Sequence, residues 1–410
     1  MKADGSGGVR KAIIVGGSTS GLMTAALLRK QGWQVDLYER SPVELVGRGA
    51  GIVCHGELFE ALEETGAGVA DLGVDVAERL AFDIDGEIAG RRPFPQTVTS
   101  WDRLYQLVRK IVPDEHYHLD HHLNRVEQDE HGVRAFFENG MVAEADLLIG
   151  ADGFRSSVRG EYLPDIHPIY AGYAIWRGLA DEAALDPRIA ETVFGRFTFH
   201  FPEGTEILGY PIAGPNNDLR VGHRRYNWVW YKKAPEDELD RMLTDANGNY
   251  HALGIAPTLI RPEVIADMRE QAKAMITPPL LHVLDHVKAP FFTPIYDLLS
   301  PQFAFGRVAL VGDAAIVARP HVGYGTAKAA GDALALARAV GSTDDIPGAL
   351  KAYEAERYGI GERCFYRGRQ LGAWVSGDEP RDAQEAEEFH ELHTMQGILR
   401  HVASGEFLTM

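Results

Sequence analysis

The chain has 410 residues, a length that allows two domains with an extensive shared interface. Its composition, 45% hydrophobic and 24% charged, is typical of a globular enzyme and excludes a disordered or fibrous chain. A formal charge of −18 without a concentrated basic patch argues against a nucleic-acid partner, and no apolar run approaches the ~20 residues that cross a bilayer. We therefore expect a soluble protein with no nucleic-acid or membrane partner.

The two cysteines, Cys54 and Cys364, are too few for a disulfide framework and lack the spacing of a zinc site. Polar side chains at alternating positions from His116 to His122 superficially resemble a metal site. A strand separates such side chains by ~7 Å, however, and does not converge them on one ion. Residues 1–8 contain no apolar core of the kind a signal peptide needs. These features predict a cytoplasmic protein without a metal.

In chain order, the first predicted elements form a strand–turn–helix–strand unit. Residues 11–16 are an apolar strand, residues 22–30 are rich in Leu and Ala and predict a helix, and residues 34–39 alternate as a second strand. A crossover of this length joins parallel strands. The fold therefore begins as α/β.

The middle third has a different character. Between residues 170 and 230, aromatic and β-branched residues alternate with polar ones, and Phe197 and Phe199 would share one strand face. This alternation predicts a largely antiparallel sheet. A buried strand over 308–311 and a helix over 325–340 then return the chain to the first domain. The remaining predicted elements are helices over 58–64, 102–112, 237–243 and 262–274, strands over 116–122, 133–138 and 142–149, and a helix-prone, acidic end.

A glycine-rich turn follows the first strand. It reads Gly16-Gly17-Ser18-Thr19-Ser20-Gly21 and is followed by Glu39-Arg40 at the end of the second strand. This pattern is a dinucleotide fingerprint with Ser18 at the middle glycine position, in which Gly16 permits the tight turn and Gly21 lets the helix approach the strand. The positive helix N-terminus would hold a pyrophosphate, Glu39 would bind ribose hydroxyls, and Arg40 lies beside it in the predicted cofactor site. An ordinary strand-to-helix turn is the alternative, and this motif does not separate NAD from FAD.

Two later segments lie in the order and spacing of one flavoprotein family. The first resembles its Asp-Gly motif and reads Gly150-Ala151-Asp152-Gly153-Phe154-Arg155-Ser156-Ser157-Val158-Arg159. The second resembles its Gly-Asp motif and reads Gly312-Asp313-Ala314-Ala315, followed by Pro320, Gly323 and Gly325. With Arg48 and Arg103, the chain resembles the class A flavin-dependent aromatic hydroxylases from end to end. Two short segments are most similar to the 2,6-dihydroxypyridine 3-hydroxylase branch of that family. They read Ser100-Trp101-Asp102-Arg103-Leu104 and Ala318-Arg319-Pro320-His321.

The resemblance implies an FAD-dependent monooxygenase that uses NADH or NADPH and O₂ as co-substrates. The expected reaction, of a kind found in pyridine catabolism, is hydroxylation of a hydroxylated pyridine or phenol ring through a flavin C4a-hydroperoxide. No second glycine fingerprint follows Gly153, so the nicotinamide would bind transiently. The alternatives are an NAD-dependent dehydrogenase, another FAD-dependent oxidoreductase or epoxidase of the same fold, and a non-catalytic FAD-binding protein.

The expected fold class is α/β, with a Rossmann-like FAD-binding domain, a second, largely antiparallel substrate sheet and C-terminal helices. Residues 1–165 and 290–375 would form the FAD-binding domain, residues 166–289 the substrate-binding sheet domain, and residues 376–410 an acidic helical C-terminal segment. The expected partner is a small aromatic substrate, and a homodimer stays open.

The Gly-Asp motif has a physical interpretation of its own. Asp313 would stand at the carboxyl end of a buried strand, where its carboxylate can accept a hydrogen bond from a ribityl hydroxyl. The helix that begins near Gly325 would direct its positive N-terminus at the negative charge of a reduced flavin. Pro320 and Gly323 would shape the loop for close approach. A plain strand–loop–helix connection with an acid is the alternative.

Three further residues complete the predicted cofactor site. The resemblance places Arg103 near the phosphates and ribityl chain of the cofactor, and a guanidinium suits phosphate oxygens. Arg48, beside two glycines, is a similar candidate, with solvated surface arginines as the alternative for both. Asp152 resembles the family residue that contacts the pyrophosphate and the entering nicotinamide, whereas a turn-forming Asp-Gly pair is the other interpretation.

The substrate side offers fewer signals. Electrophilic attack on a ring gains from a base that deprotonates a ring hydroxyl. His321, next to the flavin loop, and Tyr210 are the catalytic candidates, although His321 could only cap the loop and Tyr210 could only pack. Three further aromatic residues would either stack on a planar ring or form the sheet core. They are Tyr226, Trp228 and Trp230.

Overall fold

The computed structural model of the protein describes residues 9–47 and 51–408, so Arg48 lies outside the described residues. The strands, in chain order, are β1 (Lys11–Val15), β2 (Gln34–Tyr38), β3 (Gly51–Val53), β4 (Val74–Phe82), β5 (Ile88–Ser100), β6 (Tyr117–His118), β7 (Leu123–Gln128), β8 (Val133–Phe137), β9 (Val142–Ala145), β10 (Leu147–Gly150), β11 (Ile169–Asp181), β12 (Arg196–His200), β13 (Thr205–Ile212), β14 (Arg225–Lys233), β15 (Phe291–Leu299), β16 (Ala304–Phe305), β17 (Val308–Leu310) and β18 (Ile316–Val317). The helices are α1 (Thr19–Lys30), α2 (Gly56–Thr65), α3 (Trp101–Arg109), α4 (Ser157–Tyr162), α5 (Pro187–Val193), α6 (Glu236–Met242), α7 (Pro262–Met275), α8 (Pro278–Asp285), α9 (Gly325–Gly341), α10 (Ile346–Ser376), α11 (Ala383–His393) and α12 (Met395–His401).

The first sheet is the predicted parallel one. Its strand order is β16-β17-β10-β1-β2-β6, and β1 pairs in parallel with both β2 and β10, with Ile14 opposite Leu37 and Ile149. Every residue of β10 is buried, which is typical of a parallel strand covered on both faces. Helix α9 packs against α1, α2 and α10 beside this sheet. The expected α/β class, with parallel and antiparallel sheets and C-terminal helices, is confirmed.

The second sheet separates two hydrophobic cores. Its order is β18-β15-β11-β14-β13-β12-β4-β5-β3, and its pairs are antiparallel apart from β12 with β4. Because side chains alternate along a strand, β14 sends Val229 and Tyr231 to the core shared with the parallel sheet. It sends Tyr226, Trp228 and Trp230 to the smaller core.

Several predicted elements differ in the structure. Strands β4 and β5 were not predicted. The strand expected over 116–122 is reduced to the two-residue β6, because Asp120 has a left-handed φ of 59° that ends the extended run. The strand expected over 142–149 divides at Asp146, because β9 pairs with β8 in a third sheet and β10 pairs with β1 in the first.

The sheets do not follow the predicted domain boundaries. The second sheet takes β3, β4 and β5 from residues assigned above to the FAD-binding domain, and β15 from residues after 289. The division into domains therefore stays a prediction. Within residues 9–47 and 51–408, no helix combines the length and apolar character needed to cross a membrane.

Candidate active site

A cavity of about 670 Å³ lies between the carboxyl ends of the parallel strands and the inner face of the second sheet. Its volume is in the usual range for small-molecule sites, and the strand ends are where open α/β sheets bind ligands. From the predicted site, the residues that line it are Gly16, Ser18, Thr19, Ser20, Glu39, Arg40, Asp152, Tyr210, Asp313, Pro320, His321, Gly323 and Gly325. Gly21 and Arg103 are not among the lining residues.

The glycine-rich turn leaves no room for side chains. Gly16 has a φ of 111°, and a Cβ there would lie 2.3 Å from the Ala151 carbonyl oxygen. A Cβ on Gly21 would lie 2.0 Å from the Gly16 carbonyl oxygen, so Gly21 sits behind the turn and lets α1 approach β1. The N-terminus of α1 consequently faces the cavity. Within the described part of the chain, the buried Ser20 hydroxyl has no hydrogen-bond partner, which suits a bound polar group.

Glu39 lies at the end of β2 and is 7% exposed. Its two carboxylate oxygens accept hydrogen bonds from the backbone N–H of Gly17 at 2.7 Å and of Ser41 at 2.8 Å. A carboxylate has about four acceptor positions, so lone pairs remain for hydroxyls in the cavity. Arg40 is exposed at the cavity edge, next to Glu39.

Asp313 points into the cavity from the turn after β17. Its side chain is exposed toward the cavity and, among the described residues, makes no hydrogen bond or ion pair. Burial by the surrounding protein raises the pKa of its carboxyl; the charge of Lys328 opposes this shift and that of Asp332 adds to it. Its carboxyl oxygens are therefore available to accept a hydrogen bond from a polar ligand in the cavity.

The turn that carries Asp313 is held from below by two buried charges. Asp332 accepts a hydrogen bond from the Gly312 N–H at 3.0 Å, and the Lys328 ammonium donates to the Gly312 carbonyl at 2.8 Å. Both residues lie on α9, whose N-terminus faces the cavity through Gly325 and Thr326. The sequence analysis missed this pair. Its signal was two opposite charges four residues apart in an otherwise alanine-rich helix.

Asp152 and Arg103 differ in their local contacts. Asp152 accepts hydrogen bonds from the Ser156 hydroxyl at 2.5 Å and from the Ser157 N–H at 2.7 Å, so its carboxylate caps α4. It also lines the cavity. Arg103 is half-buried one turn into α3, and its buried Nε has no partner among the described residues.

His321 is fully buried at the cavity wall, and protein groups engage both of its ring nitrogens. Nδ1 lies 2.9 Å from the Glu206 carboxylate, and Nε2 lies 3.0 Å from the Tyr173 hydroxyl. The imidazole stacks on Tyr231, with ring centroids 4.0 Å apart. Because a carboxylate only accepts, Nδ1 carries a proton in the contact with Glu206.

Tyr210 reaches the cavity from β13. Its ring meets Phe197 edge-on at 4.7 Å, and its hydroxyl makes no hydrogen bond within the described part of the chain. Burial raises the pKa of Tyr210, and the nearby charge of Arg177 opposes that shift. Tyr226, Trp228 and Trp230 are in the smaller core on the other face, which corrects their candidacy for stacking on a substrate.

Arg177 is a cavity residue that the sequence analysis missed. It shares a face of β11 with Tyr173 and Ile175, lies opposite Val229 of β14, and is half-buried. Among the described residues it makes no hydrogen bond or ion pair. Its signal was a charged residue at an inward position of an alternating strand.

Taken together, these groups fit an adenine dinucleotide. Two helix N-termini and a side-chain-free turn suit a pyrophosphate, and the carboxylates of Glu39 and Asp313 suit hydroxyl groups along the cavity. The unpaired Ser20 hydroxyl, which lines the cavity, is a polar atom that a ligand would satisfy.

The chain resembles known proteins in sequence and in structure. A family model described as FAD binding domain-like matches residues 170–297. The chain is 34% identical over 362 residues to the 2,6-dihydroxypyridine 3-monooxygenase of Paenarthrobacter nicotinovorans, with 88% of this chain and 90% of the relative covered. It is 29% identical to the 3-amino-4-hydroxybenzoate 2-monooxygenase of Streptomyces cremeus, over 92% of this chain and 87% of that one. The solved structure of 2,6-dihydroxypyridine-3-hydroxylase from Arthrobacter nicotinovorans aligns with a TM-score of 0.85 and 31% identity, covering 92% and 96% of the two chains.

The chain belongs to the class A family of FAD-dependent aromatic hydroxylases. It is an FAD-dependent monooxygenase, with a nicotinamide and O₂ as co-substrates. The predicted family, cofactor and class of enzyme are confirmed, and the NAD-dependent dehydrogenase considered above is excluded. The roles of individual site residues stay predictions.

Proposed function

We propose that the protein hydroxylates a hydroxylated pyridine or phenol ring, and that a dihydroxypyridine is the first substrate to test. The observation that carries this proposal is a pair of unpaired polar groups on an otherwise apolar cavity face. Tyr210 and Arg177 both point into the cavity, between Phe197 and Phe291. A planar ring with acidic hydroxyls matches such a face, and two relatives named above act on hydroxylated or dihydroxylated rings.

The roles proposed for the substrate-side residues follow from their protonation. Because burial raises its pKa, Tyr210 keeps its proton and donates a hydrogen bond to a ring oxygen. Arg177 stabilises negative charge on that ring by its unpaired guanidinium. His321 remains the predicted base. Its two ring nitrogens contact Tyr173 and Glu206, so to take a proton from the ring its Nε2 would first have to give up the Tyr173 contact.

The proposed cofactor contacts use the residues of the glycine-rich turn and the two carboxylates. Glu39 would accept from ribose hydroxyls, Asp313 would contact the ribityl chain, and the N-termini of α1 and α9 would face the pyrophosphate and the flavin ring. Arg103, Arg40 and Asp152 complete this proposal, together with Arg48. When bound, FAD supplies the transfer of an electrophilic oxygen atom to the ring.

The test is a substrate panel with the FAD-loaded enzyme. Dihydroxypyridines, monohydroxypyridines, phenols and unsubstituted pyridine are each scored for NADH and NADPH oxidation and for hydroxylated product. We expect stimulated oxidation coupled to product with hydroxylated rings only. If NADH or NADPH oxidation is stimulated but none of the rings gives a hydroxylated product, the proposal is contradicted. If no ring stimulates the oxidation, a non-catalytic FAD-binding protein is favoured.

Arg177→Met provides the residue-level test. We expect KM for the hydroxylated ring to rise while FAD binding is unchanged. The matched control is Lys232→Met, which removes a cation from β14 that is paired with Glu238. An unchanged KM in Arg177→Met would place the ring elsewhere in the cavity.

Two finer points belong to the same proposal. The two cysteines are buried and free, which supports a reducing, cytoplasmic location. A homodimer stays open, and light scattering of the purified enzyme measures the oligomeric state directly.

A further inference from the structure

The end of the chain forms part of the cavity wall. Helix α12 ends at His401, and the next two residues, Val402 and Ala403, line the cavity beside His321 and Gly323. The Ala403 N–H donates to the His321 carbonyl at 2.7 Å. We call residues 402–408 the C-terminal strap. A segment far from every motif in the sequence therefore borders the predicted flavin loop.

The strap is fixed by a buried arginine. Arg79 of β4 is 0% exposed, and its Nη1 donates to the carbonyls of Leu399 at 3.1 Å and Val402 at 2.6 Å. Its Nη2 donates to the Ala403 carbonyl at 2.9 Å. These carbonyls stand at the negative C-terminal end of α12, where intrahelical donors run out. The N–H that would ordinarily satisfy Leu399 belongs to Ala403 and is used by His321 instead.

The buried charge of Arg79 is satisfied by neutral groups. Among the described residues, no carboxylate lies within ion-pair distance of its guanidinium. Gln96 bridges the two partners, because its Oε1 accepts from Arg79 Nη2 at 2.7 Å and its Nε2 donates to the Ala403 carbonyl at 2.9 Å. The guanidinium carbon also lies 3.9 Å from the ring centroid of Phe94. A buried cation satisfied chiefly by backbone carbonyls leaves the strap little freedom to move away.

Arg79 and the strap lie between the sheet that carries Tyr210 and the predicted flavin loop. Arg79 lies opposite Phe197 in the pairing of β4 with β12, and Phe197 is the ring in contact with Tyr210. On the other side, a Cβ on Gly323 would lie 2.7 Å from the Ala403 Cα, and Ala403 itself has a left-handed φ of 51°. The position of the strap thus sets the space between Phe197 and the flavin loop.

We propose that the C-terminal strap is a specificity-determining wall of the substrate cavity and that Arg79 is the positioning residue that holds it there. Val402 and Ala403 border the cavity beside His321 and Gly323, so a hydroxylated heteroaromatic with two rings should gain room when this wall recedes. The same wall excludes water from the reacting centre. This inference rests on the proposed function for its substrates but concerns different residues.

The experiment compares Arg79→Met and Val402→Ala with the wild type, all as full-length, FAD-loaded enzymes. Arg79→Met removes the donors to the strap, and Val402→Ala widens the wall while leaving every Arg79 hydrogen bond in place. The control is Arg91→Met, an exposed arginine one strand away that pairs with Glu78. Three quantities are measured: hydrogen exchange of strap amides, binding of dihydroxypyridine and of a dihydroxyquinoline by flavin absorbance, and hydrogen peroxide released per NADH.

We expect faster exchange confined to the strap in Arg79→Met and unchanged exchange in Val402→Ala. In both variants the ratio of the dissociation constant of the dihydroxyquinoline to that of the dihydroxypyridine should fall by about tenfold. One apolar contact in a pocket discriminates by about this factor. Peroxide release should rise in Arg79→Met, and Arg79→Lys should restore part of the preference. Arg91→Met should match the wild type.

Unchanged ring preference in both variants would overturn the inference, as would strap exchange that is already at the unprotected rate in the wild type. If Arg79→Met does not fold, Val402→Ala decides the matter alone. The proposed function fails separately, through a wild type that binds neither ring, and the exchange measurement then still decides whether Arg79 holds the strap.

Discussion

The two walls of the cavity are built in different ways. On the cofactor side, the groups that face the cavity are largely backbone: the turn at Gly16, the N-terminus of α1 and the N-terminus of α9. On the substrate side they are side chains at alternating strand positions, Arg177 on β11 and Tyr210 on β13. The first wall is set by local chain geometry, and the second by the register of a sheet.

This difference bears on how each wall tolerates change. A shift of one residue in β13 would replace Tyr210 by Gly209 at the cavity, whereas α1 would still direct its N-terminus at the same strand ends. The cofactor wall should therefore be sensitive to what holds its turns, and the substrate wall to single side chains.

The largest effect is expected where buried charges hold the Asp313 turn. Asp332 is 2% exposed and binds Arg357 Nε at 2.9 Å as well as Lys328 at 3.2 Å. Asp332→Ala leaves two buried cations short of a partner, so the free energy of unfolding should fall by about 3–5 kcal/mol. Chemical denaturation measures it, and FAD retention should fall in parallel.

The matched control for this prediction is Glu356→Ala. This change removes the carboxylate that lies 3.0 Å from Arg338, which is on α9 like Asp332. Both side chains of that pair are about half exposed. A change below about 1 kcal/mol is expected there. Equal losses from both variants would show that the buried charges do not hold the cofactor wall.

On the substrate wall, Tyr210→Phe should reduce kcat/KM without changing FAD affinity. A hydrogen bond to a charged oxygen contributes about 1.5–3 kcal/mol, which corresponds to a ~10–100-fold loss. Tyr226→Phe is the control, because its hydroxyl contacts Thr198 on the opposite face of the sheet. Steady-state kinetics should separate the two variants. If they behave alike, the register argument for the substrate wall is wrong.

The same contrast explains what the sequence could predict. The turn from Gly16 to Gly21, the acid at Glu39 and the strand before Asp313 depend on neighbours in the chain, and the structure brings them to one cavity. The environments of Arg79 and Arg177 depend on which strands pair with β4 and β11, because Arg79 lies opposite Phe197 and Arg177 lies opposite Val229. Pairing between residues so distant in the chain is not specified by their sequence neighbours. Strand β5 was missed because prolines and arginines interrupt its alternating pattern.

Glu39→Ala tests the cofactor wall at a single side chain. The carboxylate accepts from the turn and, in the proposed site, would also accept from cofactor hydroxyls, so its loss should weaken FAD binding by about 1–3 kcal/mol. Titration of the FAD-free protein by flavin fluorescence measures the dissociation constant. Glu60→Ala, on the outer part of α2, should leave that constant unchanged. An unaltered constant in Glu39→Ala would place the adenosine ribose away from β2.

The smallest effect is expected at the far edge of the parallel sheet, where Asp36 of β2 contacts His116 at 2.9 Å and His118 at 3.1 Å. Burial acts to raise the pKa of Asp36, but the hydrogen bonds and charges of the two histidines outweigh it, so its pKa lies below the usual value. A depressed carboxyl pKa stabilises the fold above the unfolded-state value, ~3.9 for Asp, and this stabilisation is lost as the pH falls through the folded-state value.

Asp36→Asn should therefore be less stable than the wild type at pH 7, by up to about 1 kcal/mol, and the difference should shrink below about pH 4. Denaturation curves from pH 7 to pH 3 measure this difference. Asp344→Asn, at a fully exposed carboxylate 3.7 Å from Arg10, should show no such pH dependence. A difference that grows as the pH falls would mean that the histidines stabilise the neutral carboxyl instead, and that this edge of the cofactor sheet is not held by charge.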